Sequence, residues 1–112
     1  MRDRYLGEFE EFILLAILGL PEERTYAVPI QHRIATQAGR ETTLGSVYRT
    51  LSRLEKKGYV RSWMGDVTHE QGGKRKRLYA VTGIGEAALL ALHQARTRLW
   101  DGVALKPKLG AS

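Results

Sequence analysis

Residues 43–58 constrain the fold more than any other stretch, because they specify a helix at both ends and on both faces. Thr43 suits the N-cap, where its hydroxyl can accept from a first-turn N–H that has no intrahelical partner. Gly58 suits the position just past the C-terminus, and Lys56 and Lys57 complement the negative end of the helix dipole. With each residue advancing about 100°, Leu44, Val47, Leu51 and Leu54 fall within an arc of about 80°. That arc must face a core. Gly45, Arg49, Ser52, Arg53 and Lys56 fall on the opposite side, with Tyr48 at the margin.

The flanking elements are short and plain. Tyr59 to Met64 reads as a strand, and Arg77 to Val81 as its returning partner. Gly65, Asp66, Gly72 and Gly73 make the intervening 65–76 a loop, with Lys74, Arg75, Lys76 and Arg77 at the hairpin tip. Tyr5, Phe9, Phe12, Ile13, Ala16, Ile17 and Leu20 recur at helical spacing, with Glu8, Glu10 and Glu11 early in the helix, where carboxylates suit the dipole. Gly19 and Pro21 end it. Thr25 is expected to cap a second helix running to about Ala38, with apolar contacts from Val28, Ile30, Ile34, Ala35 and Ala38. Pro29 is tolerable in its first turn, and Gly39 suits its C-terminal exit. Thr82 is expected to cap a last helix carrying Ile84, Ala87, Ala88, Leu89, Leu90, Ala91, Leu92, Ala95, Leu99, Trp100 and Val103.

This order specifies a mainly α fold with a small β-hairpin: a winged helix-turn-helix plus a C-terminal dimerisation helix. The expected divisions are a reading unit at 1–82, a dimerisation helix at 83–105 and a flexible tail at 106–112. The last helix is apolar almost all round in its first half. A terminal helix of a lone small domain should keep one wet face, so the pattern implies a subunit interface.

Composition narrows the function. The chain has 112 residues, 43% of them hydrophobic, which supports one domain with a real core. A formal charge of +6 favours a polyanionic partner, nucleic acid first and an anionic membrane surface second. With no cysteine, thiolate chemistry and disulfides are excluded. The longest apolar run, Phe12 to Leu20, is too short to span a bilayer, and the early acids do not fit a targeting peptide. A cytoplasmic protein is expected. His32, His69 and His93 lack metal-ligand spacing, and no nucleophile–base arrangement or phosphate-binding loop occurs. No metal, cofactor or enzymatic activity is expected.

In a winged helix-turn-helix, the second helix of the motif lays its polar face in the major groove. Gly45 and Ser46 make the start of that helix narrow, and its N-terminus at Thr43 favours an anion. Arg49 and Arg53 can each offer two parallel donors to a guanine edge. Ser46, Thr50 and Ser52 can serve bases or phosphates, and the Tyr48 hydroxyl can hold a phosphate. The expected double-stranded DNA contact set is therefore Thr43, Gly45, Ser46, Tyr48, Arg49, Ser52, Arg53 and Lys56, with Lys74, Arg75, Lys76 and Arg77 of the wing. Alone, the wing charges could be a solvated tip or a localisation signal. The competing reading of the whole is a protein-interaction module whose third helix faces an acidic partner.

The arrangement resembles the PadR family of bacterial transcriptional regulators. The likeness lies in Leu15-Ala-Ile-Leu18, in Ser46-Val-Tyr-Arg-Thr-Leu51 with Arg53-Leu-Glu-Lys-Lys-Gly58, and in Gly72-Gly-Lys-Arg with Leu78-Tyr-Ala-Val-Thr82 and Gly85. It departs at Arg49, where the family often has proline, and at Ala27, where it often has glycine. The resemblance implies a repressor acting as a homodimer on an inverted-repeat operator, associated with the bacterial nucleoid. It places Phe9, Phe12, Ile13, Ala88, Ala91, Leu92, Ala95, Leu99 and Trp100 at the dimer interface. The short tail resembles the small subfamily, some of whose members bind planar aromatic compounds at the dimer centre. Phe12 and Trp100 are the corresponding effector-pocket candidates, with plain packing as the alternative.

Overall fold

The computed structural model describes residues 5–66 and 74–106. The expected contributions of His69, Gly72, Gly73 and the tail from Pro107 lie outside the described residues. The elements run α1 (Glu8–Leu18), a 3-10 turn (Glu22–Arg24), α2 (Ala27–Ala38), α3 (Leu44–Lys56), β1 (Val60–Met64), β2 (Arg77–Val81) and α4 (Gly83–Trp100). The fold is thus the expected four helices and hairpin.

The ends of the helices follow local chemistry. Glu10, in the first turn of α1, reaches back to accept from the Gly7 N–H at 2.9 Å, one half of a capping box. Thr43 Oγ1 accepts from the Ser46 N–H, and Thr82 Oγ1 from the Gly85 N–H, as their positions predicted. Gly39 ends α2 with φ 65°, and Gly58 follows α3 with φ 81°, both in the left-handed region that glycine enters at no side-chain cost. Thr25 does not cap α2. Tyr26 holds that position without a side-chain cap bond. Thr25 is instead buried, its Oγ1 donating to the Glu22 carbonyl and its own carbonyl accepting from the Tyr79 N–H at 2.9 Å. It closes the 3-10 turn onto β2.

α1, α2 and α3 enclose the core. Ile13, Leu14, Ile30, Val47, Leu51 and Leu54 are fully buried. Four apolar expectations fail. Tyr5 lies ahead of α1 and is 78% exposed, and Ala38, the last residue of α2, is exposed. Val28 is 50% exposed, because Ala27, Ile30 and Ile34 carry the inward stripe of α2 and Val28 lies off it. Leu44 is 36% exposed, since it begins α3 where the core has already tapered. Thr50 is buried, so it is not available to bases or phosphates as the sequence suggested.

The hairpin is antiparallel, pairing Val60 with Val81 and Met64 with Arg77. Tyr59, Val60 and Tyr79 turn into the core and dock it against the helices. Its base is tied to α4: the Thr82 N–H donates to the Tyr59 carbonyl at 3.0 Å, and Thr82 Oγ1 donates to the Gly58 carbonyl at 2.6 Å. A Cβ at Gly85 would collide with the Tyr59 carbonyl oxygen, so only glycine lets α4 begin this close. Beyond that start α4 runs along α1: Leu89 is buried, Ala88 and Leu92 pack partly against the core, and Arg96 Nη2 donates to Glu11 at 3.0 Å. Among the described residues of α4, Gly85 and Leu89 alone are buried.

Candidate nucleic-acid interface

The outward face of α3 carries the expected polar residues, and their neighbours divide it into two ends. At the N-terminal end, Ser46 Oγ lies 3.2 Å from Thr43 Oγ1 and accepts from Arg49 Nη2 at 3.1 Å. This small network leans Arg49 toward the helix start, where backbone N–H groups and the dipole already favour an anion. Gly45 is exposed beside it, and Tyr48 is 53% exposed. Ser52 and Lys56 continue the same exposed face.

The C-terminal end is anchored through a buried acid. Glu10 of α1, its side chain 6% exposed, accepts from Lys57 Nζ at 2.9 and 3.0 Å and from Arg53 Nε at 3.0 Å. Lys57 gives its remaining donor to the Tyr5 carbonyl at 3.1 Å. With the Gly7 N–H, the carboxylate accepts four hydrogen bonds and is saturated. Burial alone would raise the Glu10 pKa. Hydrogen bonds from Lys57, the Gly7 backbone and Arg53, with the Lys57 charge, outweigh it and hold the carboxyl below its ordinary value. Lys57 thus serves α1 rather than its own helix end. Arg53 keeps its guanidinium half in solvent, its side chain 54% exposed.

Sequence reasoning missed Glu10 as a partner, although a signal was present. Glu10, Ile13, Leu14 and Ile17 share one i, i+3, i+4, i+7 stripe, so a carboxylate there had to enter the core and needed a cation.

The wing charges are not equivalent. Arg75 folds back, its Nε donating to the Gly65 carbonyl at 2.9 Å and its Nη2 reaching the Met64 carbonyl at 3.4 Å. Arg77 Nη1 donates to Ser62 Oγ, which donates to Glu55 of α3 at 2.9 Å, tying the strand pair to the helix. The Lys76 ammonium sits 5.6 Å from the Tyr26 ring centroid. Lys74 is exposed and makes no hydrogen bond among the described residues.

The residues expected at an interface are also divided. Ala88 and Leu92 line an apolar groove of about 710 Å³ with Leu6, Tyr59 and Ile84. The other side of α4 borders a second groove, of about 650 Å³, lined by Leu15, Leu18 and Leu90. Leu99, 78% exposed, and Trp100 project at the far end of α4. Ala91 also lines the first groove, and Ala95 is half-buried. Ile13 is fully enclosed by its own chain, where it packs the protomer and offers no surface to a second one. Phe9 and Phe12 are half-buried beneath the Arg40 guanidinium, 5.2 and 5.9 Å from their ring centroids. Phe12 and Trp100 line separate depressions, so one chain does not bring the two effector candidates together.

Among the described residues, no three acidic or histidine side chains converge as a metal site, and no helix is long and apolar enough to cross a membrane. The sequence model of the transcriptional regulator PadR-like family matches residues 14–91. An uncharacterized protein of Lysinibacillus sphaericus is 33% identical over 88 residues, 77% of this chain and 75% of its own length. A PadR-like transcription factor from Bacteroides fragilis superposes with a TM-score of 0.67 at 27% identity, over 90% of this chain and 88% of that one. A PadR-like transcriptional regulator from Bacillus cereus shares the fold, with a TM-score of 0.66 at 18% identity over 83% of this chain and 84% of that one.

Proposed function

The chain belongs to the transcriptional regulator PadR-like family, and on that premise we propose that it is a repressor acting as a homodimer on an inverted-repeat operator. It is a DNA-binding regulator of transcription rather than an enzyme. One observation carries the proposed site: α3 buries Val47, Thr50, Leu51 and Leu54 and leaves a continuous polar face outward, beside a cationic hairpin. Gly45, Ser46, Tyr48, Arg49, Ser52, Arg53 and Lys56 would meet the major groove, and Thr43 would lend the helix N-terminus. Lys74 and Lys76 would reach the backbone beside it. Arg75 and Arg77, already bonded within the hairpin, would shape the wing while adding charge.

Pairing is supported by the apolar faces of α4 that its own chain leaves uncovered. Residues 1–82 would form the reading unit and α4 the dimerisation helix, which ends at Trp100 with Gly102 at φ 78°, short of the expected 105, with α1 of one copy against α4 of the other. A two-fold axis would set the two α3 helices in successive major grooves, about 34–36 Å apart. A small aromatic effector bound between Phe12 and Trp100 of different copies would change that spacing and release the operator.

Selection of bound duplexes from a random pool tests the reading. Recovery of an inverted repeat, with affinity falling with salt at a log–log slope of roughly −0.9 per phosphate contact, supports it. Binding with no enrichment of any sequence, or a monomer on DNA, overturns it. No binding at any salt would favour the protein-interaction module instead.

A further inference from the structure

Lys57 alone balances the charge of Glu10, and its three donors are all used, two on that carboxylate and one on the Tyr5 carbonyl. Arg53 is therefore a surplus cation on the cluster. It is held through Nε on Glu10 at 3.0 Å, and Nη2 also donates to Thr50 Oγ1 of its own helix in a longer bond of 3.5 Å. A guanidinium has five N–H donors. These two bonds use the Nε–H and one N–H of Nη2, and Nη1 bonds nothing among the described residues, so donors on the Nη1–Nη2 side remain for a guanine edge or a phosphate. The rotamer freedom of a long cationic side chain is already restricted before any ligand arrives, which reduces the ordering cost of contact. A clamp between two helices does not need this. Apolar residues of similar volume commonly join helices as well as a buried ion pair does.

We propose that Glu10 is a positioning residue for DNA recognition: its hydrogen bond to Nε fixes the Arg53 guanidinium so that the Nη1–Nη2 edge is presented to the DNA. The proposal rests on the reading of α3 as the DNA-facing helix. It adds that the discrimination contributed by Arg53 depends on an acid in a different helix, one that never touches DNA.

The test compares R53A, E10Q and the double variant, with E10D as a second probe. E10D keeps the charge that Lys57 needs but withdraws the carboxylate from Nε by one methylene. Each is measured on the selected duplex and on a random duplex across a salt series, with thermal unfolding recorded separately. E10Q and E10D are expected to lower the specific-to-random affinity ratio by about 5- to 100-fold, the range of one bidentate base contact. Their salt slope should stay as in the wild type, because the Arg53 charge remains. Adding E10Q to R53A should change the ratio no further. A lowered unfolding midpoint with an unchanged ratio would reduce Glu10 to a structural clamp and overturn the proposal. Equal loss in the R53A background would overturn it too, because Glu10 would then act without Arg53. If E10Q fails to fold, an unchanged ratio in E10D has the same force. R53A binding like wild type on both duplexes would show that the α3 face itself is misassigned, and this proposal would fall with it. Loss of specificity in R53A alone would leave the face standing and remove only the role given to Glu10.

Discussion

α3 and α4 are both helices with abundant apolar residues, yet they resolve that content in opposite ways. α3 gathers it into one stripe, and its own chain seals the stripe completely at Val47, Leu51 and Leu54. α4 spreads it round the helix: its own chain buries Leu89 and half-covers Ala88 and Leu92, and leaves Ile84, Leu90, Leu99 and Trp100 exposed. The difference separates two kinds of sequence signal. A narrow stripe specifies packing within the chain, whereas a broad one leaves apolar surface that, in the proposed homodimer, a second copy would cover.

The most direct way to break this comparison is to truncate a leucine on each helix. Leu51→Ala should lower the unfolding free energy by about 2–5 kcal/mol in chemical denaturation, at any protein concentration. Leu99→Ala should change the unfolding of dilute chain by under about 0.5 kcal/mol, while weakening self-association in sedimentation. If Leu99→Ala cost as much as Leu51→Ala in dilute chain, α4 would not be the unsatisfied helix.

A second pair sits at the start of α4. Gly85→Ala should destabilise by about 1–3 kcal/mol, because the new methyl meets the Tyr59 carbonyl and α4 must shift. Gly83→Ala, whose Cβ meets nothing within 4 Å, should instead be neutral or stabilise by up to about 1 kcal/mol through helix propensity. Thermal melts of the two variants would give shifts of opposite sign. Shifts of the same sign would mean that α4 is not held by its close approach to Tyr59.

α1 supplies a pH test of how α3 is anchored. The Glu10 pKa is lowered on folding, so its stabilisation is fully present above the unfolded value near 4.5. It should be lost as pH falls from there through the lower folded value. Denaturation midpoints taken downward from neutral pH should show this limb in the wild type and lack it in Glu10→Gln. A limb unchanged by that substitution would assign the acid sensitivity to other carboxylates.

A last pair concerns the caps. Thr43→Ala and Thr82→Ala should each cost about 1 kcal/mol through the lost acceptor for an orphan N–H. Thr82→Ala should cost more of the two, since its hydroxyl also donates to the Gly58 carbonyl. Equal losses would show that this second bond adds nothing.

What could be read from the sequence was local. The caps at Thr43 and Thr82, the glycines at 39 and 58, the sealed stripe of α3 and the order of the elements depend on residues within a turn or two of each other. The exceptions depend on partners far along the chain. Thr25 is occupied by Tyr79, 54 residues away, so a plausible cap became part of the hairpin's support. Glu10 is occupied by Lys57, 47 residues away, which changed two expected surface charges into an internal anchor. The exposure of Leu44 and Val28 was hidden for a related reason: periodicity finds the direction of a core but not where it stops. For the polar face of α3, the sequence indicated which residues point outward. It did not show that Arg49 leans on Ser46, that Arg53 leans on Glu10, or that Arg75 folds back on its own hairpin.

The two bonds from Thr82 to Gly58 and Tyr59 bring the feet of the hairpin together at its base. The closure is made there, so chain added beyond Asp66 need not disturb the helices. The hairpin is therefore the part of this protein whose reach evolution or an engineer can alter by insertion, leaving the helices as they are.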